Sequence, residues 1–183
     1  MPDFPYLADI PADVLERARA VRVAVFDVDG TLTDGKLPYG GDAHDGRQFH
    51  AHDGLGLQSL QAHGIEVALI TARQSQAVAM RAADLGLRHV FQAQSDKRAC
   101  LLALLASLQL QPGEACYVGD DLPDLRPMRV AGLAVAVANA HPWLLAHAHW
   151  QTTRPGGDGA AREVCDLLLQ AQGKTAAELA RWQ

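Results

Sequence analysis

Apolar residues along the chain gather into short runs that recur at intervals. "VRVAVFDV", "IEVALIT", "HVFQA", "ACYVGD" and "LAVAVANA" are rich in β-branched residues and almost continuously apolar, so they read as strands covered on both faces. Segments of roughly 10 to 25 residues separate them. The patterns there predict helices over Leu55–His63, Gln74–Leu85, Lys97–Leu108 and Gly159–Gln170, with Gly64, Gly86 and Gly173 as stops and Gly132 at a further junction. Strands alternating with helices predict an α/β fold, a parallel sheet flanked by helices and joined by right-handed crossovers. One interval breaks the rhythm. "GKLPYGGDAHDGRQFHAHDG", after the first strand, is rich in Gly and Asp and holds two short extended runs, Lys36–Tyr39 and Arg47–Phe49. It predicts a β-hairpin excursion. No insertion is long enough for a cap domain, so residues 1–183 read as one domain, with a core over about 21–173 and a C-terminal tail over about 154–183.

Composition agrees with an ordinary globular chain: 183 residues, 49% hydrophobic and 20% charged, are enough for a sizeable core. The formal net charge of −5 supplies no basic field, which argues against a nucleic-acid partner. Cys100, Cys116 and Cys165 are odd in number and far apart, as suits reduced thiols in a cytoplasmic protein. The N-terminal "MPDFPYLADIPADVLERA" lacks the basic start and apolar core of a signal peptide, and no 18-residue apolar run predicts a membrane partner.

Ligands of open α/β sheets bind beyond the carboxyl ends of the strands. The residues in that position are Asp27 and Asp29 after the first run, Thr71 and Arg73 after the second, "QSDK" after the third and "GDDLPD" after the fourth. Extended backbone puts Asp27 and Asp29 on one side. Two carboxylates ~4 Å apart repel by about 4 kcal/mol in an effective dielectric of ~20, and Asp120 and Asp121 add to the repulsion. A hard cation such as Mg²⁺ answers that need, because the donors are carboxylate oxygens. The pairs His50/His52 and His147/His149 lack a third nearby ligand and do not make a zinc site.

"DVDGTLTDG", "ITAR", "QSDK" and "GDDLPD" resemble, in order, the four motifs of the haloacid dehalogenase superfamily of phosphotransferases. "HAHDGLGL", "FQAQSDK", "VAVANAHP" and "GGDGAAREVCDLLLQAQGK" are similar to the cap-less 3-deoxy-D-manno-octulosonate 8-phosphate phosphatases. The resemblance implies a Rossmann-like fold and a Mg²⁺-dependent phosphomonoesterase of the lipopolysaccharide core-sugar pathway. In its pattern Asp27 is the nucleophile, forming an aspartyl-phosphate, and Asp29 is the acid and base. Asp27, the Asp29 carbonyl and Asp120 hold the metal. Thr71 and amides near Gly30 bond the phosphoryl oxygens, and Lys97 gives them a fixed positive charge. Asp121 and Asp124 support the metal's water shell and Lys97 respectively; a plain N-cap before "LRPM" is an equal reading of Asp124.

For substrate, Arg73 sits where the octulosonate phosphatases place an arginine and the nonulosonate 9-phosphate phosphatases tend to have a glutamate, so its guanidinium would meet an acidic sugar. A structural ion pair is the other reading. The "GGDGAAREV" segment is similar to one that closes over a neighbouring subunit's site, which makes Arg162 a second anion contact. The resemblance also implies a homotetramer, assembled through the hairpin, with active sites near subunit interfaces. His52 and Asp158 stand where the family usually has arginines, and Ala72 where it has glycine. Other readings are a nonulosonate or different sugar-phosphate phosphatase, a phospho-accepting receiver and an oligomeric scaffold.

Overall fold

The computed structural model describes residues 4–38 and 46–183. Its elements in chain order are α1 (Ala12–Ala20), β1 (Val23–Phe26), α2 (Ala51–Ala62), β2 (Glu66–Ile70), α3 (Gln76–Asp84), β3 (His89–Phe91), α4 (Lys97–Leu108), β4 (Ala115–Gly119), α5 (Leu125–Met128), β5 (Leu133–Ala136), α6 (Pro142–Leu145), β6 (Trp150–Gln151), α7 (Ala160–Ala171) and α8 (Thr175–Ala180). The strands form one parallel sheet in the order β3-β2-β1-β4-β5-β6. β1 is central, and its four residues are fully buried, which explains why its sequence is apolar without alternation. α2 packs on α7, and α7 on α1, over one face of the sheet; α4 and α5 pack together, and right-handed crossovers put that pair on the other face.

Register carries this architecture to the site. Phe26 pairs with Leu69 on one side and with Val118 on the other, so β1, β2 and β4 end nearly level. The Asp27 N–H extends the ladder by one bond, 3.0 Å to the Val118 carbonyl. Asp27, Thr71 and Asp120 therefore emerge together at the carboxyl edge.

The five expected strands and the four expected helices are all present. α2 begins at Ala51 instead of Leu55, because Asp53 is not a turn residue: its carboxylate faces inward and accepts the Arg162 N–H (2.8 Å) and the Gly159 N–H (3.4 Å), capping α7 from the neighbouring helix. Five elements are additional, among them the four-residue α5. α1 buries only Val14 and Ala18, β6 has two residues, and α6 and α8 are too short to show a period. The expected hairpin is not formed among the described residues: 36–38 and 47–49 are not strands, and Tyr39 with the tip lies outside those residues. A lone two-stranded hairpin is marginal in water, and Pro38 removes a ladder donor. Phe49 instead packs against the core, with the Arg81 guanidinium 5.9 Å from its ring centre.

The C-terminal α8 is tied to α2 through Glu178. Its carboxylate accepts from Ser59 Oγ (2.6 Å), Arg181 Nη1 (2.6 Å) and Trp182 Nε1 (3.1 Å), and lies 2.9 Å from His63 Nε2. Burial alone would raise this carboxyl, but the hydrogen bonds outweigh it and hold the pKa at about 2, against an ordinary 4.5. A depressed carboxyl stabilises docking above the ordinary value and loses that contribution as pH falls toward the folded one. Protection of the amides of residues 175–180, taken as the ratio of intrinsic to observed exchange rate, should thus be high at neutral pH and fall as pH drops from about 4.5 toward 2, whereas Glu178→Gln should lower it already at neutral pH.

Candidate active site

A cleft of about 310 Å³ opens at the carboxyl edge of the sheet, lined among others by Asp27, Asp29, Thr71, Arg73, Lys97 and Asp120. Its floor is a buried charge cluster. Lys97, the first residue of α4, enters it because Asp96 caps that helix by accepting the Ala99 N–H (3.0 Å), which fixes where the first turn begins. The Lys97 Nζ lies 2.7 Å from Asp27 Oδ1 and 2.7 Å from Asp124 Oδ1, and its side chain is only 4% exposed. Burial works against this ammonium, yet the charges of Asp124 and Asp27 more than offset it and raise its pKa. Burial, and then the Asp124 charge, push Asp27 well above the usual carboxylate range while Lys97 pulls it down. Asp120 is raised for the same first two reasons, to about 7.

Asp124 belongs to the same cluster. It stands at the start of α5, but its side chain caps nothing there. Oδ1 instead accepts from Lys97 and from the Tyr117 hydroxyl (2.9 Å), and Oδ2 from the N–H groups of Asp120 (3.1 Å) and Asp121 (3.5 Å). Asp121 also lines the cleft, its Oδ1 accepting the Leu122 N–H (2.7 Å) to open the following 3-10 turn.

Asp27, Asp120 and Asp124 offer oxygens within 4.8 Å of one another, the one such group among the described residues. Asp124's oxygens already have four partners, so Asp27 and Asp120 carry the open donors. A set of carboxylate oxygens without thiolate or imidazole fits a hard divalent cation. Gly30 belongs to the same corner: its φ is +95°, and a β-carbon there would overlap the Asp120 carboxylate.

At the rim, Asp29 is gripped by Arg47, with Nε donating to Oδ1 (2.6 Å) and Nη2 to Oδ2 (3.3 Å). Arg73 Nε stands 3.8 Å from the same carboxylate, its side chain 52% exposed. Thr71 is buried, and its Oγ1 accepts the Arg73 N–H (3.3 Å).

The structure thus gathers Asp27, Asp29, Gly30, Thr71, Arg73, Lys97, Asp120, Asp121 and Asp124 into one corner. Arg162 is elsewhere. Its Nε donates to both Asp166 oxygens (2.9 Å each), and it lines a separate cavity of about 430 Å³ with His52, Arg154 and Tyr6. The "GG" before Asp158 closes on its own chain: Gly156 and Gly157 lie against the backbone of Gly30 to Asp34, and the Gly157 N–H donates to the Thr31 carbonyl (3.0 Å). Asp158 is exposed, 3.7 Å from His50 Nε2. Two site residues escaped the sequence reading. Tyr117 gave a signal, since a tyrosine in a fully buried strand needs a partner for its hydroxyl. Arg47 gave none, because a loop arginine 18 residues from its partner has no pattern to betray it.

Comparison with known proteins converges on one group. The family model described as haloacid dehalogenase-like hydrolase matches residues 86–164. The 3-deoxy-D-manno-octulosonate 8-phosphate phosphatase of Yersinia pestis is 46% identical over 162 residues, 88% of this chain and 87% of that protein. A hypothetical protein from Xanthomonas campestris superposes over 100% of both chains with a TM-score of 0.95 and 48% identity. The 3-deoxy-D-manno-octulosonate 8-phosphate phosphatase of Moraxella catarrhalis, solved in complex with magnesium ion, phosphate ion and KDO, has a TM-score of 0.91 and 40% identity, covering 93% of this chain and 98% of that one.

Removing one member of a buried ion cluster leaves the others uncompensated, at a cost of about 3–5 kcal/mol. Lys97→Met should lower stability by that order in urea unfolding. Adding Asp124→Asn to it should restore part of the loss, because one of the two stranded carboxylates is gone.

Proposed function

The chain belongs to the 3-deoxy-D-manno-octulosonate 8-phosphate phosphatase family of haloacid dehalogenase-like hydrolases, and from that premise we propose that it hydrolyses 3-deoxy-D-manno-octulosonate 8-phosphate to the free sugar acid and phosphate in a Mg²⁺-dependent reaction. The observation that carries this reading is the buried Asp27–Lys97–Asp124 knot beside an open Asp120, at the edge where β1 and β4 end. The reading extends to one domain over the whole chain, in the cytoplasm, with no nucleic-acid or membrane partner. Among the described residues no helix is long and apolar enough to cross a membrane, and Cys100, Cys116 and Cys165 are free.

In the proposed mechanism Asp27 attacks phosphorus, the ester oxygen leaves, and water later opens the aspartyl-phosphate. Two like charges must approach for the first step, and uncatalysed phosphate-monoester hydrolysis needs up to ~10²¹-fold acceleration. Lys97, already bonded to the nucleophile at 2.7 Å, both aims Asp27 and neutralises the approaching phosphoryl group. Asp27 and Asp120, with the Asp29 carbonyl, would hold Mg²⁺, which supplies charge neutralisation when bound. Thr71 and amides near Gly30 bond the equatorial oxygens. Asp29 gives its proton to the leaving oxygen and then takes one from water. Arg73, half in solvent above the cleft, is the group that meets the acidic sugar.

Oligomeric state belongs to the same proposal: a homotetramer whose neighbours cover the uncapped clefts. Light scattering should give a mass near four chains of 19.6 kDa.

Phosphate release from the octulosonate, from nonulosonate 9-phosphates and from simple sugar phosphates, with and without Mg²⁺, tests the reading. The octulosonate should rank first and chelation should abolish turnover; a different leading substrate overturns the specificity. Asp27→Asn should lose turnover and keep the fold. Arg73→Ala should raise KM for the acidic sugar phosphate more than for p-nitrophenyl phosphate, and equal effects would make Arg73 a phosphate-binding or structural residue.

A further inference from the structure

We propose that Arg47 is the positioning residue for Asp29, fixing where that carboxylate points and thereby governing departure of the leaving group. The inference rests on the phosphatase reading above and adds a residue to it.

The two carboxylates flanking the cleft are held very differently. Asp124 has two backbone N–H groups, a tyrosine hydroxyl and an ammonium, so no single partner sets its direction. The Asp29 carboxylate, among the described residues, meets only side chains, Arg47 and Arg73. Of these, Arg47 is buried, its side chain 7% exposed, and reaches both oxygens in a fork. A planar guanidinium fixes both the distance and the plane of a carboxylate, which an ammonium does not. Arg73 approaches one oxygen loosely, at 3.8 Å, and is half exposed to water. The buried arginine therefore constrains, and the exposed one is left to meet a ligand.

Arg47 has a firm base from which to do this. Two residues on, Phe49 is packed against the core beneath Arg81. Three residues on, His50 caps α2, its Nδ1 accepting the His52 N–H (3.3 Å). The guanidinium is thus presented by a short segment anchored at its C-terminal side, although the segment carries no regular structure. Misplacing a reacting group by about 1 Å costs on the order of 10²-fold in rate. That is the scale on which loss of Arg47 should be felt at the step Asp29 serves.

Substituted phenyl phosphates isolate this step, because they share the phosphate and lack the sugar while differing in how much help the leaving oxygen needs. kcat/KM reports events up to departure of the phenol. With Mg²⁺, Arg47→Gln should lower kcat/KM on the order of 10²-fold for the poorest leaving groups and by less than about 3-fold for p-nitrophenyl phosphate, so the dependence on leaving-group pKa steepens. Arg47→Lys, which keeps the charge and loses the fork, should fall between the two, and it serves as the working variant if the glutamine form fails to fold. A uniform loss across the series overturns the proposal, since it marks a phosphate-binding or structural arginine; so does an unchanged slope. If the parent chain releases no phosphate from any of these esters, the phosphatase reading itself fails. Parent turnover with an unaltered slope in both variants removes only the Arg47 assignment.

Discussion

Three carboxylates and one ammonium share the floor of the cleft, and the geometry of the carboxyl edge follows from keeping that cluster compensated. Lys97 stands 2.7 Å from both Asp27 and Asp124 with almost no exposure to water. A charge taken out of water is tolerated only when its partners are close and its remaining bonds are made. The protein meets the condition from several directions: Asp96 starts α4 where Lys97 must enter, Tyr117 offers a hydroxyl from the middle of β4, and the register of β1 with β4 brings Asp27 level with the β4 end. These parts come from distant stretches of sequence and meet only in the folded sheet.

Within the cluster the groups divide into those whose bonds are complete and those left open. Asp124 has every oxygen engaged, as befits a support. Asp27 and Asp120 share a corner with Gly30, where only the absence of a side chain leaves room, and burial lifts both carboxyls toward the neutral form. A cation at that corner would reverse the direction of both shifts. The rim repeats the division with arginines, one buried and forked, the other exposed.

Legibility followed the physical reach of each signal. The parallel sheet was readable because strands covered on both faces must be apolar throughout. Asp27, Asp29, Thr71, Lys97 and Asp120 were readable because they follow apolar runs directly, and strand ends are where such folds place ligands. For Asp124 a cap and a support both need an acid at that spacing, and only the fold shows its carboxylate turned inward to Lys97 and Tyr117. The first turn of α2, before Leu55, was not readable because its Asp53 caps another helix, more than 100 residues on. Arg47 was invisible for the same reason, being defined by a partner across a loop. Elements of two to six residues, such as β6 and α8, are too short to carry a period.

The contact between Gly156–Gly157 and the backbone of Gly30–Asp34 also bears on the order in which the protein can be made. The first aspartates leave the ribosome early, followed in turn by the lysine that neutralises them and the glycines that wall their loop. Until that last stretch has emerged, one side of the Asp27 loop is bare and the Thr31 carbonyl lacks its donor. That corner is therefore synthesised early and stays unwalled until residues 156 and 157 have emerged.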